Sequence, residues 1–139
     1  MKRRTLLTAI LGVSTLPRWA TASPAGGRVV IVGGGWGGLS AARHLRASVP
    51  QLDVILIDRR AEFWSQPLSN RWLVGLARED WLRHDYRRAA QHLGYRFVNA
   101  EVAGVDRQSR QVDTSAGRFA YDWLVLAPGI REDFSAWYG

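Results

Sequence analysis

The stretch that decides the reading is RVVIVGGGWGG, residues 28–38. Arg28-Val29-Val30-Ile31-Val32 is a short β-branched run without polar alternation. Such a run reads as a strand buried on both faces, as in a parallel sheet. It ends in Gly33-x-Gly35-x-x-Gly38. Behind the glycines, Leu39, Ala42, Leu45 and Val49 fall at helical spacing, and Pro50 closes the helix. DVILID, residues 53–58, is a second buried strand. Strand, turn, helix and strand make one βαβ unit of about 30 residues.

Each motif glycine has a physical task. Gly33 permits the tight turn out of the strand. Gly35 has no β-carbon, so a pyrophosphate can approach the main chain. Gly38 lets the helix lie close to the sheet. The helix start then presents unpaired N–H groups and the positive end of its dipole. Asp58 ends the second strand, twenty positions after Gly38. A carboxylate there can accept hydrogen bonds from both hydroxyls of an adenosine ribose. A glycine cluster alone also serves as a plain turn. Here a strand before, a helix after and an acid at the right distance coincide, which points to a dinucleotide site with Trp36 and Gly37 inside its loop. Arg59 and Arg60 offer a rival, because arginine there can meet a ribose 2′-phosphate. Asp58 would repel that phosphate, so FAD or NAD is favoured over NADP.

Upstream, residues 1–22 read MKRRTLLTAILGVSTLPRWATA. A basic head, an uncharged and mostly apolar stretch over residues 5–16, and the small triplet Ala20-Thr21-Ala22 form the layout of a cleavable export signal. The apolar stretch is shorter than the roughly 20 residues a membrane span needs. Arg3-Arg4 with Leu6-Leu7 behind them resembles a twin-arginine signal, the route for proteins exported already folded. An ordinary secretory signal and a retained anchor are the other readings. Residues 23–27 are a small-residue linker. The expected localisation is periplasmic.

The 139 residues are 47% hydrophobic and 22% charged, a globular profile that allows one domain at most. The net charge is +7, but the first 22 residues hold Lys2, Arg3, Arg4 and Arg18 and no acid. The remainder carries only +3, so the basic balance gives no reason to invoke nucleic acid. The chain has no cysteine, which excludes a disulfide framework, a thiolate zinc site and a redox dithiol within it.

Downstream, residues 59–74 read as irregular and residues 79–93 as a helix. Asp80 or Asp85 can cap a segment of that helix, and Gly94 sits where a C-terminal glycine belongs. A third strand is expected at 95–98, and a meander over 101–106, 111–114 and 118–121. A last buried strand at 123–126 runs into Ala127-Pro128-Gly129. The fold class is α/β: a Rossmann-like FAD/NAD(P)-binding domain over residues 28–139, with a parallel sheet and a small β-meander. His84 and His92 would share one helix roughly 12 Å apart, too far to share a metal. They and His44 read as surface or packing histidines, and no catalytic residue or metal ligand is assigned. Trp64 and Trp72 read as core or interface packing, with flavin stacking as the other reading. Ser69-Asn70 is either a loop cap or a polar contact near a flavin. Arg83, Arg87 and Arg88 read as a solvated face, with docking of an acidic partner as the rival.

The order VVIVGGGWGG, VILID, FWSQPLSN, EVAGVD and YDWLVLAPG resembles the start of the flavoprotein subunit of flavocytochrome c sulfide dehydrogenase. It is similar also to the sulfide:quinone oxidoreductases of the same FAD-dependent pyridine nucleotide-disulfide oxidoreductase superfamily. The likeness runs along essentially the whole chain. It implies a first dinucleotide domain in which Gly33, Gly35 and Gly38 meet the FAD pyrophosphate and Asp58 its ribose. Val102 would present its main chain to the adenine, and Ala127-Pro128-Gly129 would bring the chain back past the cofactor. It also implies oxidation of sulfide or a related small reduced sulfur compound, with electrons passed to a cytochrome c subunit. Gln66 stands where family members with a covalent flavin carry the linking cysteine, so any FAD would be held non-covalently. The family's redox cysteines and second nucleotide domain would lie beyond Gly139, and these residues read as the N-terminal third of such an enzyme. Two other readings stand beside this one. The first is a non-catalytic nucleotide-binding remnant, marginally stable because distant chain completes this fold. The second is a relative of the NADH:quinone oxidoreductases.

Overall fold

The computed structural model describes residues 26–130, 133 and 135–138. The leader read at residues 1–22 lies outside them. β1 (Arg28–Val32) leads through the glycine turn into α1 (Trp36–Ser48), and β2 (Asp53–Asp58) returns beside β1. β3 (Glu62–Trp64), α2 (Ser69–Leu73) and β4 (Arg83–Asp85) form an excursion before α3 (Tyr86–Leu93) and β5 (Arg96–Asn99). The meander β6 (Val102–Asp106), β7 (Gln111–Thr114) and β8 (Gly117–Ala120) precedes β9 (Trp123–Leu126), and a short α4 (Ser135–Tyr138) follows.

The main sheet has the order β5-β2-β1-β9, with every pairing parallel. Val30 lies between Ile55 of β2 and Leu124 of β9. Side chains alternate across a strand, and here each face finds its own cover. Val29, Ile31, Val54 and Leu56 pack with Ala42 of α1 and Tyr86 and Ala90 of α3. Val30, Ile55 and Ile57 pack with Val112 and Phe119 of the meander. The result is three layers: helices, parallel sheet, antiparallel meander. The unbroken apolar runs of β1 and β2 are explained by burial on both faces, as the sequence implied; the run Trp123–Leu126, expected to be buried, is not, because β9 is the last strand of the sheet within the described residues.

α1 starts at Trp36, three residues before the apolar spacing begins, because Gly35 is its extended N-cap. The second half of the glycine stretch is therefore the first turn of a helix. At the far end, Val49 N–H donates to the Leu45 carbonyl just before Pro50, which disfavours helical geometry in its predecessor.

The expected helix over residues 79–93 is not found as one element. Glu79–Trp81 is a single 3₁₀ turn, Arg83–Asp85 is strand, and only Tyr86–Leu93 is α-helix. The break is at Asp85, whose extended backbone and side chain make it the N-cap, with Oδ1 accepting from Arg87 N at 2.6 Å and Arg88 N at 3.1 Å. Gly94 ends the helix in the left-handed conformation at φ +75°. His84 and His92 therefore do not share a helix. Residues 59–74 are also more ordered than expected. β3 pairs antiparallel with β4, placing Phe63 opposite His84. Arg83 reaches both oxygens of Glu62 across that pair, at 3.0 Å each.

A charge cluster ties the strand starts together. Arg28, buried at the head of β1, donates to Asp53 at the head of β2 at 2.7 Å, and Arg96 at the head of β5 donates to the same carboxylate. Burial pushes the Asp53 carboxyl up, but hydrogen bonds from Arg96 and Arg28 overcome that and hold it below the usual range. This end of the sheet is locked by ion pairs. The glycine turn sits at the opposite end, where open α/β sheets bind their ligands.

Candidate functional site

The strands set the glycine turn in a defined place. Gly33 N–H donates to the Ile57 carbonyl at 2.8 Å, and Ala127 N–H to the Val32 carbonyl at 2.8 Å. The turn is thus held from both sides, by the end of β2 and by the segment after β9. Gly33 has φ +98°, and a β-carbon there would strike the Ala127 carbonyl. A β-carbon on Gly38 would strike the Gly33 carbonyl, so bare main chain is what lets α1 sit against the turn. Gly35 differs from both: a β-carbon there would meet nothing within 4 Å. The space outside it is open. No side chain caps α1, and its first turn holds no acid. No acid of the helix's own first turn therefore meets its N-terminal donors and dipole.

Asp58 is buried and faces this turn. Its Oδ2 accepts from Gly34 N–H at 2.7 Å, and its Oδ1 from Arg60 N–H at 2.8 Å. The half-exposed Arg60 guanidinium adds a looser contact at 3.4 Å. A cavity of about 500 Å³ opens beside the carboxylate. Its walls include Gly33, Asp58, Arg59, Val102, Pro128 and Gly129. Six residues singled out in the sequence thus converge on one hollow from β1, β2, β6 and the segment after β9. Gly35, Trp36, Gly37 and Gly38 lie next to it on the first turn of α1. Gly37 is close to Ala127, 3.7 Å from where its β-carbon would stand to the Ala127 β-carbon. Gln66 does not line this cavity. It is exposed at the start of the 3₁₀ turn Gln66–Leu68.

Trp36, half-exposed, meets Phe63 edge to face at 5.0 Å, and Phe63 stacks on His84 at 6.2 Å. Trp64 and Trp72 are each 41% exposed, so neither packs in the core formed by the described residues. Asn70 Oδ1 accepts from Arg71 N–H, a local loop contact. A larger hollow, about 950 Å³, runs past Arg83, His84, Arg88 and His92 and touches no residue of the glycine turn. Among the described residues no group of His, Asp or Glu is placed to hold a metal. No helix among them is long and apolar enough to cross a membrane.

One residue of the site escaped sequence reasoning. Tyr86, at the start of α3, is buried, and its hydroxyl donates to the Gly34 carbonyl at 2.7 Å. Burial and the Asp58 charge push its pKa up to about 12. An aromatic on the apolar face of a helix reads as core, and no local signal marks a contact 52 positions away.

Known proteins share this architecture. A sulfide-quinone reductase from Aquifex aeolicus is 29% identical over 109 residues, covering 78% of this chain and 25% of the relative. A flavocytochrome c sulfide dehydrogenase flavoprotein chain from Chlorobaculum thiosulfatiphilum is 46% identical over 43 residues, 31% of this chain and 90% of that sequence. A type II NADH:quinone oxidoreductase from Staphylococcus haemolyticus is 26% identical over 108 residues, 76% of this chain and 27% of the relative. The crystal structure of the Aquifex aeolicus sulfide:quinone oxidoreductase superposes with a TM-score of 0.72 at 29% identity, over 77% of this chain and 25% of that one. The chain therefore spans about a quarter of the length of its long relatives. Residues 27–135 match the model of the pyridine nucleotide-disulphide oxidoreductases, and the chain belongs to that family.

Proposed function

We propose that this chain is the FAD-binding part of a flavin-dependent oxidoreductase. In this reading the enzyme works in the periplasm, oxidises sulfide or a related reduced sulfur compound, and passes the electrons to a cytochrome c. The observation that carries the cofactor assignment is the Asp58 carboxylate turned onto the glycine turn, beside an open Gly35 and an uncapped helix start. The residues present fit a dinucleotide. The first-turn N–H groups of α1, from Gly35 through Trp36 and Gly37 to Gly38, hold the diphosphate. Asp58 receives the ribose hydroxyls. Three donors already use three of its about four acceptor sites, so the long and exposed Arg60 guanidinium contact is the one that yields. Val102 meets the adenine with its main chain, and Arg59, Ala127, Pro128 and Gly129 border the cofactor. FAD supplies the electron-accepting ring system; the residues of this chain bind and orient it. Gln66 has no thiol, so the flavin is held without a covalent link.

The sulfur substrate rests on the Aquifex aeolicus and Chlorobaculum thiosulfatiphilum relatives, and the cytochrome acceptor on the latter. A quinone is the other acceptor, by the Aquifex aeolicus relative. The second reading is an NADH:quinone oxidoreductase, favoured by the Staphylococcus haemolyticus relative, which matches over 76% of this chain. The test uses the full chain mixed with FAD and desalted. Retained flavin that acid precipitation releases into the supernatant supports the reading. Absence of retained flavin overturns it, and flavin that stays with the precipitate overturns the non-covalent assignment. Export is tested by fusing residues 1–27 to a reporter. Loss of periplasmic reporter on changing Arg3 and Arg4 to lysine is expected for the twin-arginine route. Unchanged export would point to the ordinary route.

A further inference from the structure

We propose that Tyr86 is a positioning residue for the dinucleotide: it holds the Gly34 peptide so that Gly35 and the first turn of α1 stay open to a diphosphate. The inference rests on the dinucleotide reading above and adds a residue outside the glycine motif.

Gly34 is the non-motif glycine of the turn, and without a side chain it would be a flexible link. Two side chains remove that freedom. Asp58 takes its N–H from the β2 side, and Tyr86 gives its hydroxyl proton to its carbonyl from the α3 side, each at 2.7 Å. The tyrosine ring also fills the space where a side chain would stand. A β-carbon on Gly34 would come within 2.5–2.7 Å of the hydroxyl, Cζ and Cε1 of that ring. With both polar groups of Gly34 engaged, the first main-chain donors left to a ligand begin at Gly35.

The ring is itself held firmly. It stacks on Phe97 of β5 at 4.8 Å and 24°, and only 1% of the residue is exposed. The Asp85 cap fixes where α3 begins, and so where Tyr86 stands. A phenylalanine would preserve the stack but leave the buried Gly34 carbonyl without its donor. The raised pKa keeps the hydroxyl protonated through the neutral range, so this support does not vary with pH there.

The test compares the full chain with Tyr86→Phe and with Val112→Ala. The second variant removes buried packing on the meander face of the sheet, away from the tyrosine ring. Affinity is measured for FAD by flavin fluorescence and for ADP by calorimetry, with amide hydrogen exchange followed along the chain. Tyr86→Phe is expected to weaken both ligands about 3- to 10-fold. It should speed exchange at residues 34–38 while β2 stays protected. Val112→Ala is expected to lower Tm without moving either affinity below its transition. Ligand affinities within twofold of the original in Tyr86→Phe, or equal losses in both variants, would overturn the proposal. If the unaltered chain binds ADP but not FAD, the flavoenzyme reading fails and the ADP series alone decides this inference. If it binds neither, both fall. A measurement that needs no variant is the ¹⁹F resonance of 3-fluorotyrosine at position 86. It should shift on adding ADP, and a resonance that does not move also overturns the proposal.

Discussion

β1 and β9 lie side by side in one sheet and are almost equally apolar, yet one is sealed and the other open. Four of the five residues of β1 are buried. None of β9 is, and Trp123 and Leu126 are 55% and 61% exposed. β1 has a strand on each side and a layer on each face. β9 is the last strand of the sheet within the described residues. An apolar run therefore marks a parallel strand without saying what covers it. The sealed strand is the one that ends in the glycine turn. A turn that presents main chain to a ligand needs a fixed base, and β1 provides it.

The contrast is broken or sharpened most directly in the two strands themselves. Ile31→Ala, at a fully buried position, is expected to cost about 2–5 kcal/mol in urea unfolding. Leu126→Ala should cost well under about 1 kcal/mol on the same curve. Equal losses would mean that β9 is covered in solution. Next in size is the glycine turn. Gly38→Ala forces a β-carbon into the Gly33 carbonyl, and a loss of about 1–3 kcal/mol is expected. Gly104→Ala in β6 meets nothing within 4 Å and serves as the quiet control.

Gly35→Ala separates binding from folding. Its backbone is at φ −68° and its surroundings are empty, so the urea midpoint should hardly move. FAD affinity should fall about tenfold or more, because the new methyl group occupies the approach of the diphosphate. A variant that keeps its affinity would place the diphosphate elsewhere. A smaller effect is expected at alkaline pH. The Tyr86 pKa is raised to about 12 when folded, against about 10 in an unfolded chain. Its contribution is therefore complete below about pH 10 and is lost as pH rises through 12. Burial pushes Tyr95 up as well, so absorbance at 295 nm should show a late tyrosine rise, of which Tyr86→Phe should remove the part contributed by Tyr86. The smallest change expected is at the open edge. Leu126→Lys should leave stability nearly unchanged and reduce self-association in light scattering, since charge blunts an exposed strand edge.

The legible parts of the fold were the local ones. β1, the glycine turn, β2, the meander and the Asp85 and Gly94 caps each declare themselves within a few residues. Residues 59–85 differ from the sequence reading because their order comes from a pairing across the sequence. Glu62 meets Arg83, 21 positions away, and no helical or strand period within one segment reports that. The sequence offers Asp80 or Asp85 as the cap, and the structure uses Asp85; the strand just before it has no sequence signal, since three residues are too few to show alternation.

By itself the sequence determined that a strand would run into bare main chain, then a helix, then a strand ending in a carboxylate. Backbone sterics and apolar period suffice for that much. Tertiary structure decided which side chains hold the turn. Asp58 closes on Gly34 across 24 positions and Tyr86 across 52, and such contacts exist only once the layers have packed. It decided also that β1 is sealed while β9 stands open, because burial depends on neighbours that an apolar run does not name.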